Sequence, residues 1–86
     1  MRTRVKICGI TSQRDAAAAC SAGADAIGLV FYSRSPRHVS IGLASAIALA
    51  VPPFVSRVAL FKDASTEEVE AVLACVEIWT WAIFFC

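Results

Sequence analysis

The segment Ala26-Ile27-Gly28-Leu29-Val30-Phe31 is a nearly continuous apolar run, and it constrains the fold more than any other feature of the chain. A strand buried on one face alternates apolar and polar residues, whereas an unbroken run marks a strand covered on both faces, as in a parallel sheet. We place this strand over 25–32. Its flanks supply the helices such a sheet needs. Ser12 followed three residues later by Asp15 resembles a capping box, and the alanine-dense stretch over 15–22 stops at Gly23, a natural C-terminal cap. Before it, 4–9 is short and β-rich in Val5 and Ile7 and ends at Gly9, which reads as a first strand turning into a loop.

The alternation continues. A polar loop over 33–39 carries Arg34, Pro36, Arg37 and His38, and Ser40 caps a second helix through Ala50 that Pro52-Pro53 ends. A third strand follows over 54–61, and Ser65 with Glu68 opens a third helix through about Val76. The last ten residues are aromatic and β-branched, which suits a fourth strand, but they contain no turn or cap chemistry to bound it. Strand and helix alternating at this spacing imply right-handed crossovers and parallel strands. The loops after the strands then share one edge, where α/β folds place their ligand sites. Cys8, Arg37, and Lys62 with Asp63 are expected on that edge, with Cys8 and Arg37 as near neighbours.

Composition bounds what such a chain can do. With 58% hydrophobic residues, its 86 residues can build one small core but not two domains. A formal charge of +1 gives no global field for nucleic acid or an anionic membrane. The apolar run over 78–86 falls far short of the roughly 20 residues of a spanning helix. The basic start is broken at once by Lys6 and Gly9, so no secretory leader is expected. Four cysteines, Cys8, Cys20, Cys75 and Cys86, contain no C-x-x-C pair, which argues against a zinc site or a redox motif. Free thiols in a reducing, cytoplasmic setting are the expectation.

Side chains alternate along a strand, so Lys6 and Cys8 project to one face and Val5 and Ile7 to the other. An adjacent ammonium favours the thiolate and makes the sulfur a usable base or nucleophile; the structural alternative is a buried, inert thiol. Arg37 follows Ser35-Pro36, and a guanidinium on a stiffened loop can bind a carboxylate or phosphate through two parallel hydrogen bonds; its alternative is a solvated loop arginine. Arg34, Arg37 and His38 together lack the aromatic interleaving of a nucleic-acid surface, and His38 reads as a surface histidine. Cys20 and Cys75 sit at packing positions and are expected in the core. Glu67, Glu68 and Glu70 complement the dipole at the start of the third helix and are expected as a solvated face. No glycine-rich phosphate loop is present.

Val5-Lys6-Ile7-Cys8-Gly9-Ile10-Thr11, followed by Asp15-Ala16, Gly23-Ala24-Asp25-Ala26-Ile27-Gly28, Phe31, Ser35-Pro36-Arg37 and Pro52-Pro53-Phe54-Val55, strongly resembles phosphoribosylanthranilate isomerase from about Arg4 to about Cys75. The resemblance implies a (β/α)8 TIM barrel and an Amadori rearrangement in L-tryptophan biosynthesis, without metal or organic cofactor. N-(5-phosphoribosyl)anthranilate would become 1-(2-carboxyphenylamino)-1-deoxyribulose 5-phosphate. In the family a carboxylic acid opens the sugar ring to a Schiff base and the cysteine after the first strand removes the C2 proton; Cys8 matches that base. Arg37 matches the arginine that holds the anthranilate carboxylate. The family's general acid, an aspartate, and its phosphate loops lie on later strands, and neither Asp25 nor Asp63 matches the acid.

Where the family reads Gln-Leu-His-Gly or similar at strand four, this chain has Thr80-Trp81-Ala82-Ile83-Phe84, so 77–86 is an atypical tail, as of a truncated or frameshifted end. A closed barrel of this class needs roughly 200 residues or more. The expectation is therefore one partial barrel domain over 1–86, inactive or nearly so alone, with self-association or complementation by a C-terminal half. A non-catalytic half-barrel module is the alternative of a different class. A barrel acting on another phosphorylated sugar, as in related epimerases, is a third reading, which the pairing of Cys8 with Arg37 disfavours.

Overall fold

The computed structural model describes residues 3–76 and the backbone of 80–84. Strands β1 (Lys6–Cys8), β2 (Ala26–Val30), β3 (Ser56–Lys62) and β4 (Thr80–Phe84) alternate with helices α1 (Gln13–Ser21), α2 (Ile41–Leu49) and α3 (Thr66–Cys75). The strands form one parallel sheet in the order β1-β2-β3-β4. Cys8 pairs with Gly28, and Gly28 with Val58.

Each helix begins where a serine hydroxyl takes an otherwise unpartnered N–H. Ser12 Oγ accepts from Asp15 N at 3.0 Å, Ser40 Oγ from Leu43 N at 3.1 Å and Ser65 Oγ from Glu68 N at 3.1 Å. Helix α1 ends in a Schellman pair: Gly23 N donates to Cys20 O at 3.1 Å and Ala24 N to Ala19 O at 3.1 Å. That pair requires Gly23 at φ +98°, a backbone open to glycine.

All three helices pack on one face of the sheet, so the run in β2 is covered by helices on that face and not on both as expected. Ile27 and Leu29 of β2 and Ala59 and Phe61 of β3 pack under the helices against Ala16, Ala44, Ile47 and Val72. Val30, Val58 and Leu60 form a smaller cluster on the other face. Phe31 and Phe61 stack at 5.5 Å between centroids, a contact favourable beyond its buried area.

Two further expectations are corrected. Cys75 is exposed rather than in the core; the inward face of α3 runs through Val69 and Val72 on to Val76, and Cys75 lies to one side of it. Cys20 is half-buried and packs against the core as expected. Phe54 is not in β3 but stands 83% exposed, because the turn closed by Val55 N on Pro52 O at 3.1 Å holds it outside the ladder. The tail does form a strand beside β3, from Thr80 to Phe84; Cys86 lies outside the described residues.

Arg57, which no sequence pattern marks, is 4% exposed. It sits on the helix side of β3 in register with Ile27, and its Nε and Nη2 donate to Ala48 O at 3.1 Å and Val51 O at 2.6 Å. A guanidinium at the C-terminal end of α2 meets both its last carbonyls and the negative end of its dipole.

Candidate active site

Cys8 closes β1 at the C-terminal edge of the sheet, and the chain turns directly after it. Gly9 N and Ile10 N both donate to Gly28 O, at 3.1 and 3.2 Å, so the turn is tied to β2. Alternation along β1 sorts its side chains as the sequence requires. Val5 and Ile7 line a groove with Ala18 and Ala19 of α1 and Ala22 just past its end, and the Cys8 thiol lies over Gly28 on the opposite face. A Cβ on Gly28 would stand 3.3 Å from Cys8 Sγ and 3.1 Å from Leu60 Cδ1. Cys8 is exposed and is not a buried core residue.

The loop after β2 is built from its own hydrogen bonds. Ser35 N donates to Tyr32 O at 3.0 Å, His38 N to Ser35 O at 3.1 Å and Arg37 N to Ser35 Oγ at 3.1 Å. Val39 N returns to Val30 O at 2.9 Å. These bonds hold the backbone of Arg37 while its side chain reaches across to the turn after β1. A Cβ on Gly9 would stand 2.9 Å from Arg37 Nη1 and 3.3 Å from Nε, and closer still to Cδ. The guanidinium therefore lies against Gly9, the residue after Cys8. Arg37 is exposed, and among the described residues its guanidinium has no carboxylate partner.

The loop after β3 reaches the same edge. Lys62 Nζ stands 5.0 Å over the Tyr32 ring, a cation–π contact joining the second and third loops. Asp63 turns the chain with φ 52°. Between these loops opens a cleft of about 530 Å³ lined by Tyr32, Ser33, Arg34, Lys62, Asp63 and Glu68. Its charges are of both signs. His38 is exposed and lines a separate cavity of about 250 Å³ with Phe31, Phe61, Glu68 and Val72. Asp25 belongs to the opposite end of the sheet, where its Oδ2 accepts the N–H of Val5 at 2.8 Å. Among the described residues no group of three or more His, Cys, Asp or Glu side chains could hold a metal ion, and no helix is long and apolar enough to cross a membrane.

The Arg37 side chain thus lies against the glycine that follows Cys8, at the strand-end edge of a parallel sheet. The thiolate can take a proton or attack carbon, and the guanidinium can hold a carboxylate beside it. The parallel alternation of strand and helix is that of a segment of a (β/α)8 barrel.

Comparison with known proteins is specific. The chain is 61% identical over 77 residues to an N-(5'-phosphoribosyl)anthranilate isomerase of Leptothrix cholodnii, covering 90% of this chain and 34% of that protein. It is 55% identical over 78 residues to the isomerase of Acinetobacter calcoaceticus, covering 91% and 37%. The crystal structure of a phosphoribosyl anthranilate isomerase in complex with reduced 1-(o-carboxyphenylamino)-1-deoxyribulose 5-phosphate superposes with a TM-score of 0.91 at 40% identity, over 95% of this chain and 42% of that one. No family model matches. In sequence and backbone alike, the chain matches the N-terminal part of phosphoribosylanthranilate isomerase. It spans about a third of the length of the curated relatives it matches.

The sequence placed Cys8 and Arg37 on one edge. It did not single out Gly9 and Gly28 as the residues that make room for them, nor the stacking of Lys62 on Tyr32. The signal was present in a glycine at the end of β1 and one in the middle of a buried strand, since either position marks a close approach.

Proposed function

We propose that this chain carries the base and the carboxylate-binding residue of a phosphoribosylanthranilate isomerase, and that it acts when the remaining strands of the barrel are supplied. The observation that carries the reading is that the Arg37 side chain lies against Gly9, the residue after Cys8. The substrate is N-(5-phosphoribosyl)anthranilate, a phosphosugar joined to an aromatic carboxylate. Arg37 holds the anthranilate carboxylate and so fixes the aromatic end of the substrate. A carboxylic acid from the rest of the barrel protonates the ring oxygen, the C1–O bond breaks, and the nitrogen lone pair forms the Schiff base. The Cys8 thiolate then takes the proton from C2, the electron pair of that C–H bond moves to the C1–C2 bond, and the resulting enolamine tautomerises to the ketose. No metal or organic cofactor enters these steps. The setting is the cytoplasm, where the pathway's small-molecule intermediates are made.

A second reading is a half-barrel module without catalysis. It is favoured by the edge at β1, where Val5 and Ile7 are 44% and 39% exposed and a further strand, from a second copy or from a C-terminal half, could add. Isomerisation separates the two. The chain is mixed with the separately expressed C-terminal remainder of the Leptothrix cholodnii relative, and loss of substrate fluorescence is followed. Activity in the mixture that Cys8→Ala abolishes supports the enzyme; a stable complex with no turnover supports the module.

A further inference from the structure

We propose that Gly9 is the positioning residue for Arg37: its missing side chain opens the space in which the arginine stem lies against the backbone beside Cys8. The inference rests on the roles given to Cys8 and Arg37 above. Two properties of position 9 carry it. Its φ of +79° lies where L side chains are rarely found, and the space where a Cβ would project is filled by Arg37 Cδ, Nε and Nη1.

The contrast with Gly23 isolates the second property. Gly23 also has a positive φ, at +98°, but a Cβ there would meet nothing within 4 Å. Gly23 therefore serves the backbone alone, whereas Gly9 serves the backbone and a neighbour. The backbone on both sides of that neighbour is held: Gly9 and Ile10 by their bonds to Gly28 O, and the loop by the Arg37 N bond to Ser35 Oγ and the return of Val39 N to Val30 O. What can yield is the flexible arginine side chain. A side chain at position 9 thus moves the guanidinium away from the turn that follows Cys8 and leaves the sheet in place.

The test uses the 86-residue chain itself and its own cysteines. Iodoacetate and iodoacetamide alkylate a thiolate in the same way, with an S–C bond formed and iodide released, but only iodoacetate carries a carboxylate. The ratio of the two rates, read at each cysteine by peptide mass spectrometry, reports a cation that attracts a carboxylate to that sulfur. Exposed Cys75 on α3 is the internal reference, and half-buried Cys20 reports the fold. The ratio at Cys8 should exceed that at Cys75 by about two- to fivefold, the range for solvent-accessible charge pairs. Lys6, on the same face of β1, contributes to it in every variant.

Arg37→Gln should lower the ratio at Cys8, Gly9→Ala should lower it equally, and the double variant should lower it no further, because both act on one group. Gly9→Asn keeps the left-handed backbone accessible but still carries a Cβ, so it should match Gly9→Ala. A wild-type ratio in the folded Gly9 variants, with Arg37→Gln lowered, overturns the role of Gly9 and leaves that of Arg37 intact. An unchanged ratio in Arg37→Gln removes the carboxylate-holding role and this inference with it. Rapid labelling of Cys20 in both Gly9 variants shows that the glycine serves the fold instead, which also overturns the proposal.

Discussion

Replacing Arg57 by Met tests how the helix layer is locked to the sheet. Met keeps the apolar stem of the arginine and removes both donors. The Ala48 carbonyl also accepts Val51 N–H at 3.2 Å, so it retains a partner. The Val51 carbonyl takes its 2.6 Å bond from Nη2 and would be left in a site where Val51 itself is 4% exposed. An orphaned buried acceptor costs about 1–3 kcal/mol, and loss of a cation at a helix C-terminus adds about 0.3–1 kcal/mol. Relief of the desolvation of a buried charge offsets part of this. The net expectation is a loss of about 2 kcal/mol, equivalent to about 8–16 °C in Tm for a chain of this length. Arg57→Lys keeps the charge without the fork and should lose about half as much. Urea unfolding followed by circular dichroism gives both values, and hydrogen exchange should localise the loss to the last turn of α2. Arg57→Met within 0.5 kcal/mol of the parent, with that turn still protected, would refute the reasoning.

Other substitutions probe the neighbouring parts. Gly28→Ala presses on Cys8 Sγ and Leu60 Cδ1 and should lower stability by about 1–2 kcal/mol; it should slow alkylation of Cys8 by iodoacetate and iodoacetamide alike, leaving their ratio unchanged. Ser65→Ala removes the hydroxyl that caps α3 and should lower stability by about 1 kcal/mol, with faster hydrogen exchange at Glu68 N–H. Ile7→Lys places a charge on exposed β1 beside the α1 groove and should reduce self-association measured by light scattering at matched concentrations.

Much of this was legible in the sequence because local rules and global topology agree. The apolar run through Ile27 and Leu29 announced a buried strand of a parallel sheet, Ser12, Ser40 and Ser65 announced three helix starts, and Gly23 announced an end. Boundaries moved where backbone chemistry outweighed pattern: Phe54 looked like a strand residue until the turn at Pro52 set it outside. Cys75 was misplaced because the inward face of α3 runs through Val69, Val72 and Val76, and Cys75 falls to one side of that face. The site was legible as residue types, a thiol after β1 and an arginine after β2. The approach of Arg37 to the turn after Cys8 was not, because it depends on the side chain that Gly9 lacks. Arg57 was invisible because its partners are backbone carbonyls, which carry no signature in a sequence.

The most direct test of the account's central claim is the separation of kcat from KM in a full-length chimera, with residues 1–76 of this chain followed by the rest of the Leptothrix cholodnii relative. If Cys8 is the base, Cys8→Ala should lower kcat by about 10²–10⁴-fold with KM nearly unchanged. If Arg37 holds the carboxylate, Arg37→Gln should raise KM about tenfold or more, as expected for loss of a charge-assisted hydrogen bond. A Cys8→Ala chimera that retains the parent kcat would contradict the account.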